Sequence, residues 1–264
     1  YSARGSSLLE SVLLPMEDVE ITAVCDVYED RTASAAALLE KAGKHAPSAL
    51  QSADQLLRMP ALDAVVICSS WETHIPLTIT AMKAGVPVAC EVGGAYSVED
   101  CWQLVRAQEQ SGTPFMFLEN CCFGRNELMV LNMARQGLFG EIVHCQGGYR
   151  HDLREEVANG WKNRHYRLDN YLRRNCENYP THELGPIAQV LNINRGNRML
   201  ALVSVASKAV GLEAYLEQKG LSLLPGGKPR FAQGDVVTTI IRCAGGETIQ
   251  LTLDPPLPRP YSRG

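Results

Sequence analysis

The chain has 264 residues, 45% of them hydrophobic, which is enough for one large domain or two ordinary ones with a filled core. Its formal charge of −4 comes from interspersed acids and bases without a basic stripe, so nucleic acid is not expected as a partner. No apolar run reaches the roughly 18 to 20 residues that a bilayer requires, and no membrane is expected as a partner either.

In chain order, Tyr1-Ser2-Ala3-Arg4-Gly5 leads directly into a helix-like stretch, Ser6 to Leu14. A dinucleotide-binding domain ordinarily opens with a strand and a GxGxxG turn, so the first strand is expected to be missing here. Gly5 then stands as the last glycine of that turn, beside Arg4, with Ser2 in place of the second. From Glu20 to Leu118 short β-branched runs alternate with amphipathic stretches. The runs Glu20 to Cys25, Ala64 to Cys68, Val86 to Cys90 and Pro114 to Leu118 are nearly continuous in apolar residues, as strands covered on both faces should be. Thr32 to Lys41, His74 to Ala84 and Val98 to Gln110 carry helical spacing between them. The rhythm predicts an α/β domain with a doubly wound parallel sheet. Ligands of such sheets lie beyond the carboxyl ends of the strands, which draws Asp26, Ser69, Glu91 and Glu119 to a common crevice. Asp26 follows Gly5 by about twenty residues, where a carboxylate accepts hydrogen bonds from an adenosine ribose; this favours NAD over its 2'-phosphorylated form, although Arg31 is near.

After the helix expected at Asn126 to Gln136 the pattern changes. Glu141 to Arg150, Leu200 to Ala209, Val236 to Arg242 and Thr248 to Leu253 have strand character, with one long helix, His182 to Leu191, among them. This predicts an α+β domain with a mostly antiparallel open sheet, whose face covers the crevice of the first domain. The domains are placed at residues 1–121 and 122–264. Leu223 to Pro229 is expected to be a loop, and a further strand is expected beyond the closing Arg259 to Gly264.

Nine cysteines are scattered without a CxxC pair, and Cys25, Cys68 and Cys90 each end an apolar run. They are expected to be reduced core thiols rather than disulfides or metal ligands, and no metal is expected. Cys121-Cys122, directly after Glu119-Asn120, stand apart from that pattern.

The segment Asn178-Tyr179-Pro180-Thr181-His182 sets a phenol and an imidazole three residues apart at an expected helix start. Two proton-transfer groups there point to acid-base chemistry. Ser69-Ser70-Trp71-Glu72-Thr73-His74 and Glu91-Val92-Gly93-Gly94 close two of the strands, and here the chain resembles the Gfo/Idh/MocA oxidoreductases. In that family a Thr-Pro-Asn turn, followed after two residues by His, passes along the dinucleotide; Trp71 stands at the Asn position and His74 at the His position. Glu91-Val92-Gly93 stands in the place of the family's Glu-Lys-Pro motif, whose lysine helps deprotonate the hydroxyl being oxidised. Val92 has no proton to exchange, and Asn178 stands where many of these dehydrogenases have Asp.

Those departures match one branch. Glu91 to Ala95, Val98 to Val105, Leu118 to Glu127, and Tyr179 to His182 through Asn192 to Gly196 resemble the NAD-dependent glycoside hydrolases of family 109, the α-N-acetylgalactosaminidases. The resemblance implies hydrolysis run through redox: bound NAD oxidises C3 of the sugar, the C1 substituent is eliminated across C1 and C2, water adds, and C3 is reduced again. On that reading the catalytic residues are His182 as base for the C3 hydroxyl, Tyr179 at C2 and Glu119 in acid-base work or binding. Arg4, Gly5, Asp26, Ser69, Trp71, His74, Glu91 and Asn120 are expected on the NAD side. Tyr149, His151, Arg164, Tyr166 and Tyr179 are expected on the sugar side, although Tyr149 to Asp152 and Arg164 to Tyr166 read equally well as a solvated loop. The alternatives are a sugar dehydrogenase or 3-keto-sugar lyase on the same fold, and a catalytically silent sugar or NAD sensor. The family also implies pairing of copies through the C-terminal sheet, and export by the twin-arginine route to the periplasm or beyond, with the cytoplasm as the alternative.

Overall fold

The computed structural model describes residues 3–221, 230–260 and 262–263. Ser2 and the loop expected at Leu223 to Pro229 lie outside the described residues. The chain divides into two compact units, Tyr1–Leu118 and Glu119–Gly264.

The first unit opens with α1 (Ala3–Leu8), continued by a π-helical turn over Leu9–Leu13. Gly5 therefore lies within the first turn of a helix that starts three residues before the expected Ser6. The elements that follow are β1 (Ala23–Cys25), α2 (Glu29–Lys41), β2 (Ser48–Leu50), α3 (Ala53–Leu57), β3 (Val65–Ile67), α4 (Trp71–Lys83), β4 (Val88–Cys90), α5 (Val98–Ser111) and β5 (Phe115–Phe117). Every pairing is parallel, as the apolar runs predict. The sheet is interrupted, however: among the described residues β1 pairs with β2 alone, and β3, β4 and β5 form a separate three-stranded sheet. The strands are also shorter than the apolar runs. Hydrogen bonding to a three-residue partner sets their length, so Glu20 to Thr22 is apolar in part yet mostly outside the ladder.

Helix spacing accounts for the two cores of this unit. Ala35 and Leu39, four residues apart on α2, pack with Leu9 and Val24; Ala81 and Met82 of α4 and Ala107 of α5 pack with Ile67, Val88 and Cys90. Burying side chains such as Leu39 and Met82 contributes about 1.5 to 3 kcal/mol each. α5 is delimited by Ser97, whose hydroxyl accepts the Asp100 N–H at 3.0 Å, and by Gly112 at φ 63°. Registers Ile67↔Cys90 and Cys90↔Phe117 align the carboxyl ends of the three strands. Glu91 is thereby placed at that edge, its N–H bonded to the Ile67 carbonyl at 2.9 Å.

The second unit begins with a 3-10 turn, Asn120–Phe123, followed by α6 (Arg125–Arg135), β6 (His144–Arg150), α7 (Arg154–Ala158), α8 (Tyr166–Arg173), α9 (Thr181–Val190), β7 (Met199–Ala206), α10 (Gly211–Lys219), β8 (Val237–Cys243), β9 (Thr248–Leu253) and β10 (Ser262–Arg263). The sheet order is β10-β6-β9-β8-β7. Three of its pairings are antiparallel, as expected, but β6 and β9 run parallel across a long crossover.

α7, α8 and α10 correct the expectation of a single long helix among the strands. α8 escaped the sequence pattern because its buried face is partly polar, with Arg167 and Asn170 beside Leu168 and Tyr171, and α7 is only five residues long. These three helices pack around Val157, Tyr171, Leu212, Leu216 and Phe231. α9 covers Ile241, Ile249 and Leu251 of the sheet with Leu184, Ile187 and Leu191. No disulfide links the nine cysteines; of the three strand-end thiols Cys90 is buried as expected while Cys25 and Cys68 are half-buried, Cys121 and Cys243 are buried as well, and Cys101 is exposed on α5. Among the described residues no helix is long and apolar enough to cross a membrane.

Candidate active site

In the first unit the chemistry sits at strand ends. Asp26, directly after β1, has a side chain only 8% exposed; its Oδ1 accepts the Tyr28 N–H at 3.0 Å, and Arg31 Nη1 stands 3.7 Å from Oδ2. Glu91, after β4, is buried, and its Oε1 accepts from Arg4 Nε at 3.0 Å. The next two turn residues require glycine. Gly93 and Gly94 have φ of 94° and 96°; a Cβ on Gly93 would meet the Trp71 indole at 2.6 Å, and one on Gly94 the Trp71 carbonyl at 2.4 Å.

His74 joins this turn to the one after β3. It is buried, with Nε2 3.0 Å from the Ser69 carbonyl and Nδ1 3.4 Å from that of Gly93. Burial lowers its pKa, so the ring is neutral and carries one N–H, which serves the shorter contact. Ser69 Oγ accepts from Thr73 Oγ1 at 2.6 Å and fixes the start of α4. The residues present fit a dinucleotide: Asp26 is an acceptor-only group at a strand end, as a ribose diol requires, and the Gly93-Gly94 backbone carries no side chain. The unit thus gathers Arg4 of α1, Ser69, Trp71 and His74 at the start of α4, and Glu91 after β4, while Gly5 follows Arg4 in α1.

In the second unit Glu119 ends the approach to the 3-10 turn and caps it, with Oε1 accepting the Cys121 N–H at 3.0 Å. The same oxygen lies 2.6 Å from His182 Nδ1. Burial pushes the Glu119 carboxyl up, but the hydrogen bond and charge of His182 and the Cys121 N–H together bring it below its ordinary value. An ionised Glu119 accepts Nδ1–H, and in the neutral ring that tautomer puts the lone pair on Nε2. Glycine makes this approach feasible. Gly185, inside α9, would with a Cβ sit 2.8 Å from Cys122 Sγ and 3.0 Å from Glu119 Cγ, so any larger residue would push the helix off the turn.

Aromatic rings surround the pair. Tyr179 meets His182 edge-on at 4.8 Å between centroids, and Tyr149 lies 4.6 Å from Tyr179 and 5.7 Å from His182. His151 packs on Tyr149 at 4.1 Å. Tyr149 and Arg150 belong to β6, and Tyr149 and His151 are buried, which corrects the loop reading of that tract. Of the second tract, Arg164 is exposed at φ 52° on a turn, and Tyr166 opens α8 with its ring stacked on His165 at 4.5 Å. Asn120 is exposed in the 3-10 turn.

Several residues escaped the sequence reading. Arg167 is buried, pairs with Glu156 at 2.7 Å and places its guanidinium 5.3 Å from the Tyr179 ring. Glu183 is buried where α9 meets β6, its Cβ 2.7 Å from where a Cβ on Gly147 would be. Among the described residues no donor meets hydrogen-bond geometry at either carboxylate oxygen of Glu183 or of Glu177. Burial, followed by the charge of Glu177, pushes Glu183 up to about 8; burial pushes Glu177 up to about 7. Both acids flank the Tyr179 to His182 motif, and that proximity was the available signal. Finally, Glu119, Cys121 and His182 bring one potential ligand atom each within 4.8 Å of one another.

Residues 2–118 match the family model of the oxidoreductase family with NAD-binding Rossmann fold, and residues 123–264 match that of the glycosyl hydrolase 109 C-terminal domain. A glycosyl hydrolase family 109 protein of Stenotrophomonas maltophilia is 41% identical over 99% of this chain and 63% of its own length. An alpha-N-acetylgalactosaminidase of Tannerella forsythia is 38% identical over 100% of the chain and 62% of its own length; one from Bacteroides fragilis is 39% identical over 95% and 60%. The chain therefore spans roughly three fifths of the length of these relatives. Among solved structures, scyllo-inositol dehydrogenase of Lactobacillus casei with bound NAD(H) and scyllo-inositol superposes with a TM-score of 0.73 at 13% identity, over 100% of this chain and 70% of that one, a likeness of fold. The two matches, in chain order and over nearly the whole sequence, place the chain in glycosyl hydrolase family 109, with an N-terminal Rossmann domain of the NAD-binding oxidoreductase family.

Proposed function

We propose that the protein is an NAD-dependent glycosidase that acts on α-N-acetylgalactosaminides through transient oxidation of the sugar. The observation that carries the reading is the Glu119–His182 pair at 2.6 Å beside Tyr179, in the part of the chain that matches the glycosidase family. When bound, NAD supplies reversible hydride acceptance from a sugar carbinol, so it is regenerated in each turnover.

The chain's own residues supply the proton transfers. Asp26, whose Oδ1 accepts the Tyr28 N–H, would hold the ribose diol, and Glu91, tied to Arg4, would bind the second ribose. His182 Nε2 takes the proton of the C3 hydroxyl while Glu119 holds Nδ1–H and stabilises the imidazolium that forms. Val92 is buried and carries no group that exchanges a proton, and the role of base is assigned to the imidazole of His182. A ketone at C3 acidifies C2–H, and the Tyr179 oxygen is the acceptor for that proton before the C1 oxygen departs. The name of the Tannerella forsythia and Bacteroides fragilis relatives supports the choice of sugar.

The test is a panel of chromogenic glycosides, with absorbance at about 340 nm followed for NADH and the dinucleotide counted after denaturation. The reading expects cleavage of the α-N-acetylgalactosaminide, about one NAD per chain and no steady rise of NADH. NADH accumulating in step with turnover would make the protein a sugar dehydrogenase instead.

A further inference from the structure

The roles assigned so far leave the Cys121 sulfur unused. Cys121 and Glu119 sit on one 3-10 turn and are 5% and 4% exposed, and the His182 imidazole is held against that turn by its hydrogen bond. A carboxylate oxygen, a sulfur and an imidazole nitrogen lie within 4.8 Å of one another. Among the described residues no donor meets hydrogen-bond geometry at the second oxygen of Glu119, Oε2, which is buried, so the cluster has acceptor capacity left over. Three protein ligands of this mixed and moderately soft kind, with water as the fourth, form the ligand set of a tetrahedral zinc ion.

We propose that Glu119, Cys121 and His182 form a binding site for zinc or a zinc-like divalent cation, and that filling it switches off proton transfer at His182. Binding exchanges protons for metal. The thiol releases its proton to solvent. If Nδ1 takes the metal, its proton moves to Nε2, because Nδ1 and Oε1, now 2.6 Å apart, must separate to about 3.3 Å to share one tetrahedral zinc; if Nε2 takes it, Nδ1 keeps its proton. Whichever ring nitrogen takes the metal, Nε2 ceases to be a base: it is either coordinated or carries the proton that Nδ1 has given up. The inhibitory half of the proposal rests on His182 being the catalytic base, whereas the binding half does not.

The experiment treats the protein with a chelator and titrates it with Co²⁺, whose thiolate-to-metal charge-transfer absorption reports a sulfur ligand independently of activity. One equivalent per chain should produce that absorption, and zinc should displace it. Cys121→Ser and Cys121→Ala, checked for native circular dichroism, should lose the absorption, keep their metal-free turnover, and need about 100-fold more zinc for half-inhibition than the parent. Absence of the absorption in the parent would overturn the site, as would its persistence in both Cys121 variants. Cobalt binding at Cys121 without glycosidase activity would uphold the site and overturn the catalytic reading alone. Equal zinc sensitivity in parent and variants would overturn the inhibitory link.

Discussion

Nδ1 of His182 lies 2.6 Å from Oε1 of Glu119, and that oxygen also accepts the Cys121 N–H at 3.0 Å. One carboxylate oxygen thus fixes both the turn and the tautomer of the ring. Replacing His182 by Ala is expected to lower turnover by roughly 100- to 10,000-fold while NAD stays bound. Glu119→Gln is expected to lower it by about 100-fold or more, because an amide N–H facing Nδ1 would force the proton onto Nε2. Steady-state kinetics with dinucleotide content measured on the same samples checks both. Near-normal turnover in His182→Ala would mark the imidazole as structural.

Glu183 provides a pH test. Its carboxyl is pushed up to about 8 by burial and by Glu177, above the ordinary 4.5, so the folded chain holds a proton that the unfolded chain releases. The associated stability is complete below about pH 4.5 and is lost as pH rises through about 8. Glu183→Gln keeps the shape without the ionisation. Its melting temperature relative to the parent should therefore climb between about pH 5 and about pH 8, by several degrees. A constant difference across that range would mean that Glu183 ionises normally.

Gly94 tests the turn that meets Trp71. A methyl there would stand 2.4 Å from the Trp71 carbonyl, on a backbone at φ 96°. Gly94→Ala is expected to destabilise by about 2 kcal/mol or more and to reduce the NAD that co-purifies. Gly112→Ala is the control: φ is 63°, but nothing lies within 4 Å, so only the backbone cost of about 1 kcal/mol remains. Calorimetry and dinucleotide counts decide; equal losses in the two variants would contradict the close packing.

The first unit was legible because parallel strands covered on both faces leave continuous apolar runs, and Val65–Ile67 and Val88–Cys90 lie inside them. The break between β2-β1 and β3-β4-β5 was not legible, since apolarity reports burial and not which strand bonds to which. In the second unit α8 hid its helical period by burying Arg167 and Asn170. The Tyr179 to His182 motif was legible from residue types alone. Its partner's distance was not, because Glu119 and His182 meet only through α9 packing against the 3-10 turn, which Gly185 permits.

The central claim is that hydrolysis proceeds through oxidation at C3 and elimination across C1 and C2, which two-carboxylate glycosidases do not use. Hydrolysis of an α-N-acetylgalactosaminide in deuterated water, followed by NMR of the released sugar, tests it most directly. The account predicts deuterium at C2 and no cleavage when the C3 hydroxyl is methylated. A product that keeps hydrogen at C2, together with efficient cleavage of the methylated substrate, would contradict it.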